Sequence, residues 1–447
     1  MYRLVIILCA IVSSLAIRES SRPRHDKIVA CYLASWAQYR PGKGQFQLDN
    51  LHPEHCTHII YSFAGLNATS WTIRSLDPWA DLEENYGKGS YKKITELRRT
   101  SPGLKVTLAI GGWNEASANY SALASSPTRR NVFITSVVNF LTTYNFDGLD
   151  LDWEFPGKRG GAPYDRKNFV SLVEELSQEL KPRNLLLTAA ISADKATIDT
   201  AYNVSEISKY LDLIHVMAYD YHGAWDKKVG ANAPLKCLNN DNLCVESTID
   251  YLLQLGAPAD KLVLGLPMYG RTFITTSVLN GTQSPMGAAA LATGFQGNFT
   301  REDGFMGYNE ICKELVVNPM SWRTGWDDDT NTAYAVHDDK VVVYDNPKSF
   351  MKKIEYVKQM SLAGVMVWSI DTDDFRGDCK SLHTDNLDPL LGSEYPLMRA
   401  INIAFTKTQI EDNKIPDVDS SASFINYSGL LLLQFIFILL NLAKNYV

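Results

Sequence analysis

The sequence predicts an α/β protein: a (β/α)8 TIM barrel with a small α+β insertion domain between strands 7 and 8. Three observations carry this. Eight apolar strand-like runs recur along the 447 residues. Most are followed by a helical pattern, the arrangement of a parallel sheet covered by helices. The gap between the seventh and eighth runs is much longer than the others. An open doubly wound sheet is the alternative, but no G-x-G-x-x-G follows the first run to support it.

Taken in order, the runs are KIVACYLASW (27–36), HIIYSFAGL (58–66), KVTLAIGGW (105–113), FDGLDLDWEF (146–155), LLLTAAISA (185–193), LDLIHVMAYD (211–220), KLVLGLPMYG (261–270) and AGVMVWSID (363–371). Helical patterns follow at 131–144, 169–180 and 349–360. The barrel is thus expected over residues 27–271 and 342–400. The intervening 272–341, rich in Gly, Thr, Asn and aromatics, forms the insertion. Polar residues 401–429 read as a linker or stalk.

The ends point outward from the cell. Residues 1–16 combine Arg3, an apolar run and small residues at Ser14 and Ala16, the layout of a secretory signal peptide. Residues 430–447 form an apolar tail preceded by a polar spacer and small residues, the pattern of a glycolipid (GPI) anchor signal; a spanning tail is the alternative. The expected location is extracellular or the outer face of the plasma membrane. Beyond the leader remain Cys31, Cys56, Cys237, Cys244, Cys312 and Cys379, an even set suited to three disulfides with about 15 conceivable connectivities. Glycosylation sequons stand at Asn67, Asn119, Asn203, Asn280, Asn298 and Asn426. A net charge of −7 without a basic block gives no electrostatic case for nucleic acid or an anionic membrane surface. A monomer is expected.

The fourth run carries the chemistry. Alternate strand residues share a face, so Asp150, Asp152 and Glu154 point one way and Leu149, Leu151 and Trp153 the other. In a barrel, the acids would line the lumen and climb toward the C-terminal strand end, where barrel active sites lie. Carboxylates about 7 Å apart in a low-dielectric interior cannot all ionise cheaply, so one is expected to stay protonated near neutral pH. Glu154, outermost and longest, is the natural proton donor. Bland alternatives are a solvated edge strand, a calcium loop and a metal cluster. The strand sits mid-sheet, the calcium-loop glycine is absent, and no His lies at ligand spacing within the motif. No metal or cofactor is therefore expected. Other strand ends supply Tyr32, Trp36, Phe63, Trp113, Tyr219, Tyr269 and Trp368. Flat rings beside carboxylates suit sugars, so the residues alone favour a glycosidase.

FDGLDLDWE resembles the D-x-x-D-x-D-x-E signature of family 18 glycoside hydrolases, which include chitinases and chitinase-like lectins. CYLASWAQYRPG, YSFAGLN, LAIGGWNE, MAYDYHGAWD, LGLPMYGRTF and GVMVWSIDTDDF resemble successive segments of animal, arthropod-type chitinases, over about residues 27–400. The resemblance implies endo-acting hydrolysis of chitin and chitooligosaccharides by a retaining, substrate-assisted mechanism without an enzymic nucleophile. It implies Glu154 as general acid/base, Asp152 as partner of the acetamido N–H, Asp150 as a deeper group sharing protons with Asp152, and Tyr219 on the acetamido oxygen. Trp368 would be the floor of the cleft and Trp36, Trp113 and Trp225 its walls, with Met217, Asp220, Tyr269 and Arg271 as further contacts. Asp147, off the lumen by parity, reads as structural. The pairs Cys31–Cys56 and Cys312–Cys379 are implied by the resemblance; Cys237–Cys244 is inferred as a local loop. Two departures stand out: Phe155 replaces a common Tyr, and no cysteine-rich chitin-binding module follows. A lectin without hydrolysis and a glycan-cutting N-acetylglucosaminidase are the competing readings.

Overall fold

The computed structural model describes residues 25–238, 241–279, 281, 283–383 and 393–411. The expected leader, the apolar tail, Asn280, Asn426 and most of the stalk lie outside them. A compact unit ends at Lys407; of the second unit, Thr408–Val447, only a helix end is described.

Eight parallel strands close into a barrel: β1 (Ile28–Ala34), β2 (His58–Asn67), β4 (Lys105–Gly111), β5 (Gly148–Asp152), β6 (Leu186–Ser192), β7 (Leu213–Met217), β8 (Leu262–Pro267) and β14 (Gly364–Trp368). Closure comes from β1 pairing with both β14 and β2. The short β3 (Thr72–Ser75) runs back antiparallel along the end of β2.

Side-chain alternation divides the interior in two. Val29, Leu33, Leu149, Leu151, Trp153, Ile214, Val216 and Leu264 join the large core between barrel and helices. Ala30, Tyr32, Ile60, Ala109, Val263 and Met366 fill the lumen, with Phe63, Met217, Tyr219 and Trp368 packed on them. The period-2 pattern of each strand thus builds two separate cores.

The helices start where local chemistry supplies a cap. Ser126 accepts from Arg129 N with Pro127 in the first turn of Pro127–Thr143, and Asn346 accepts from Ser349 N ahead of Pro347–Gln359. Each satisfies an amide that helix geometry leaves without an intrahelical partner. Helix Asp165–Leu180 buries Phe169, Leu172, Val173, Leu176 and Leu180, an i, i+3, i+4 stripe against the sheet. Between β1 and β2 the chain makes short 3-10 turns instead of an α-helix.

The insertion is a five-stranded antiparallel sheet with a helix, Tyr308–Val317. Its strands are β9 (Tyr269–Ile274), β10 (Phe305–Gly307), β11 (Arg323–Asp327), β12 (Thr332–His337) and β13 (Lys340–Tyr344), in the order β10-β9-β13-β12-β11. The sheet starts and ends about three residues outside the expected 272–341, because β9 follows β8 after a single residue. Helix Pro396–Glu411 runs past residue 400, where the sequence reads as linker; Leu397, Met398, Ile401 and Phe405 bury its inner face. Asp373 receives Leu397 N and Met398 N at its start. Three disulfides form, Cys31–Cys56, Cys237–Cys244 and Cys312–Cys379. Among the sequons, Asn119 and Asn298 are exposed, and Asn67 and Asn203 half-buried.

Candidate active site

The carboxylates of the fourth run stand on the lumen side and rise toward its mouth. Asp147, one residue before β5, faces the other way: it accepts from Val106 N at 2.8 Å and pairs with Arg98 at 2.8 Å. It ties the strand's base to its neighbours.

Asp150 is fully buried. Tyr32 donates to its Oδ2 at 2.8 Å and Thr188 to its Oδ1 at 2.5 Å. His215, two residues below Met217 on the same face of β7, reaches both groups: its Nδ1 lies 2.8 Å from the Tyr32 hydroxyl and 3.2 Å from Asp150 Oδ1. One phenol proton serves one acceptor. With Tyr32 donating to Asp150, His215 Nδ1 is the donor to Tyr32, and the other ring nitrogen is Nε2. That atom is buried without a partner among the described residues. Sequence reasoning missed His215, a lone histidine inside LDLIHVMAYD; the shared parity of 213, 215, 217 and 219 was the signal that could have found it.

Asp152 lies one step higher. Its Oδ1 is buried and has no hydrogen-bond partner among the described residues. Burial, then the charges of Glu154 and Asp150, push its carboxyl well above the usual range. β4 comes very close here. Gly112 N donates to Asp152 O at 2.8 Å, and a Cβ on Gly111, whose φ is +117°, would stand 2.1 Å from that oxygen. Only glycine permits this approach.

Glu154 follows at the rim. Burial pushes it up to about 7; Arg159 pulls it down and Asp220 pushes it further up. Arg159 is fixed by carbonyls on both sides, Trp113 O at 2.8 Å and Glu154 O at 3.0 Å. Its guanidinium lies 3.4 Å from the centre of the Trp113 ring, a cation–π shelf.

Across the lumen, Tyr219 Oη lies 3.9 Å from Met366 Sδ. Burial and the surrounding carboxylates hold its phenol well above the ordinary range, so it stays a proton donor. Asp220 next to it is exposed, with φ of +59°. It collects Tyr269 Oη at 2.6 Å, Arg271 Nε at 2.8 Å and Arg271 Nη2 at 2.7 Å. These partners come from β9, so this ion pair joins the insertion sheet to the barrel mouth. Asn232, buried, donates to Tyr269 O and accepts from Asp220 N, completing the clasp.

The aromatics separate into floor, wall and support. Trp368 packs with Phe63 (5.8 Å, interplanar 27°), and Phe63 stacks with Trp36 (6.0 Å, 20°). Trp36, Trp113 and Trp225 are 44%, 59% and 52% exposed, free to take a ring. Two residues expected as sugar contacts are buried. Tyr32, 2% exposed, is beneath the cleft with its hydroxyl committed to Asp150 and His215. Tyr269 is equally buried, stacked on Phe305 at 4.3 Å and bonded to Asp220. Both side chains are buried and both hydroxyls already have side-chain partners. The site therefore joins deep buried acids, a rim acid pushed up to about 7 and a mouth of indole faces.

A family model, Glycosyl hydrolases family 18, matches residues 28–373. The chain is 48% identical over 434 residues to the probable chitinase 2 of Drosophila melanogaster, covering 93% of this chain and 88% of that protein. The Group IV chitinase of Ostrinia furnacalis in complex with allosamidin superposes with a TM-score of 0.78 at 38% identity, over 86% of this chain and 99% of that one. Human YKL-39, described as a pseudo-chitinase with retained chitooligosaccharide binding, superposes with a TM-score of 0.73 at 32% identity, over 85% and 99% of the two chains. On the family match, the closed barrel and the identity to these relatives, the chain belongs to glycosyl hydrolase family 18.

Proposed function

We propose that the protein is an endo-acting chitinase that hydrolyses β-1,4 bonds between N-acetylglucosamine units with retention. Glu154 protonates the oxygen between two sugars. The acetamido carbonyl of the sugar itself attacks C1 and the glycosidic bond breaks, giving an oxazolinium ion. Asp152 accepts the acetamido N–H; as positive charge grows there, the proton that burial holds on Asp152 passes to Asp150, with which it shares protons, and the carboxylate offsets that charge. Tyr219 donates to the acetamido oxygen and holds it in line. Glu154, now a carboxylate, takes a proton from water as it adds to C1, the bond from C1 to the acetamido oxygen breaks, and both the amide and the acid are restored.

The observation that carries this reading is Glu154, pushed up to about 7, beside an Asp152 oxygen that is buried and without a partner among the described residues. A buried acceptor without a donor is costly unless a ligand supplies one. The acetamido N–H is such a donor. Glu154→Gln keeps the shape and removes the proton. The expected result is a loss of at least about 100-fold in turnover of a fluorogenic chitooligosaccharide, with oligosaccharide binding retained. Near-normal turnover would remove Glu154 from this role.

The likeness to YKL-39 favours a second reading, an oligosaccharide lectin on the same barrel. Incubation with N-acetylglucosamine oligomers, with products read by mass, separates the two: a lectin returns its ligand uncut.

We also propose that the chain enters the secretory pathway and is held at the outer cell surface by a lipid attached near residues 420–422. Among the described residues, no helix is long and apolar enough to cross a membrane. Phosphatidylinositol-specific phospholipase is expected to release the activity from intact cells. Retention on washed membranes after treatment would favour a spanning tail.

A further inference from the structure

On the far side of the barrel from Glu154, just before β2, the sequence His52-Pro-Glu-His55 makes a single 3-10 turn over Pro53–His55. It places two imidazoles and a carboxylate together: one ligand atom from each of His52, Glu54 and His55 lies within 4.8 Å of the other two. His52 Nδ1 is 3.0 Å from Glu54 Oε1, and its other nitrogen, Nε2, is 3.8 Å from Glu394 Oε2. The His52 and His55 rings stack with centroids 6.0 Å apart.

A second observation makes this more than a charge cluster. His55 is 8% exposed, and its Nε2 is buried without a hydrogen-bond partner among the described residues. A buried imidazole nitrogen without a hydrogen-bond partner, beside a second imidazole and a carboxylate, is a ligand set for a borderline-soft divalent cation. Two nitrogens and one oxygen match zinc; the hard, all-oxygen demands of calcium and magnesium do not fit. Glu394, against the distal nitrogen of His52, stands where an outer carboxylate orients a metal-bound histidine.

We infer that His52, Glu54 and His55 form a structural zinc site that clips the β1–β2 connection to the start of the C-terminal helix. Its surroundings give the clip two ends. Cys56, next in sequence, is tied to β1 through Cys31. On the other side Tyr395 packs against both histidine rings at 5.4 Å and donates to Asn50 O, and Asn402 Nδ2 donates to His55 O at 3.1 Å. All three ligands lie in one turn, so a zinc ion here would fix that turn, and it would bear on the helix only through the contacts of Glu394, Tyr395 and Asn402 with the two histidines. The site lies at the N-terminal strand ends, so it bears on stability and leaves bond cleavage untouched.

The test uses the full chain, stripped with EDTA and titrated with zinc chloride. About one zinc per chain is expected by calorimetry. Tm should rise by about 3 °C at a hundredfold excess over Kd. His52→Ala, at a half-exposed position, is expected to abolish both effects, and Glu54→Gln to weaken them. His337→Ala, on β12 in the insertion sheet, should leave both unchanged. Absence of saturable binding overturns the inference. So does a Tm rise that persists in His52→Ala, or an equal rise with calcium chloride.

Discussion

Glu154 has a proton near neutrality because its surroundings oppose charge there. Burial dominates, the Asp220 carboxylate adds to it, and the Arg159 guanidinium works against both. The proposed first step needs the protonated form, so kcat/KM falls as pH rises through about 7, the free-enzyme value. The neighbours then make signed predictions. Arg159→Gln removes the charge that favours ionisation, so the basic limb of the kcat/KM profile moves to higher pH. Asp220→Asn removes a repelling charge and moves it to lower pH. A damaged Trp113 shelf or a loosened clasp to Arg271 lowers the whole profile without moving that limb, so the pH of the limb, read with a soluble chitooligosaccharide, isolates the electrostatic effect.

Strands were legible where the period of two could be read without interruption. β5 and β7 obey it: their alternate residues divide cleanly between lumen and helix layer, which is why the acids of FDGLDLDWE could be aimed from sequence. β2 does not. By parity Phe63 belongs with Ile59 and Tyr61 in the outer core. A register shift against β4 between Ser62 and Ala64 leaves Phe63 as the extra residue and turns it inward under Trp36. A bulge redirects a side chain without leaving a residue-type signature. Helix Pro396–Glu411 was hidden for another reason. Its apolar positions 397, 398, 401 and 405 have helical spacing, but the Lys, Thr, Gln and Glu that follow gave the stretch the look of a linker. The polar supports of the cleft were the least legible. Asn232 and His215 matter through partners more than 30 residues away, Tyr269 and Tyr32, and although parity aims His215 at the lumen, a single sequence does not name either partner.

At the scale of the whole molecule, the barrel supplies a rigid row of acids and its loops supply the length of the cleft. Trp36 follows β1, Trp113 follows β4 and Trp225 follows β7, so exposed indoles stand around different sides of one mouth, with the insertion sheet clasped to it through Arg271 and Asp220. A short ligand spanning the reacting bond need not reach the outer rings; a long chain lies across several. On the proposed function, the rings are expected to act on chain-length preference and the acids on the rate for every length. Trp113→Ala is expected to lower kcat/KM for a hexamer of N-acetylglucosamine by roughly fivefold, the scale of about 1 kcal/mol for truncating one exposed aromatic contact. Hydrolysis of a short fluorogenic substrate should change far less, because Arg159 remains held by the Glu154 carbonyl. If both substrates lose activity equally, Trp113 acts on the reacting centre through Arg159, and the cleft ends short of its ring.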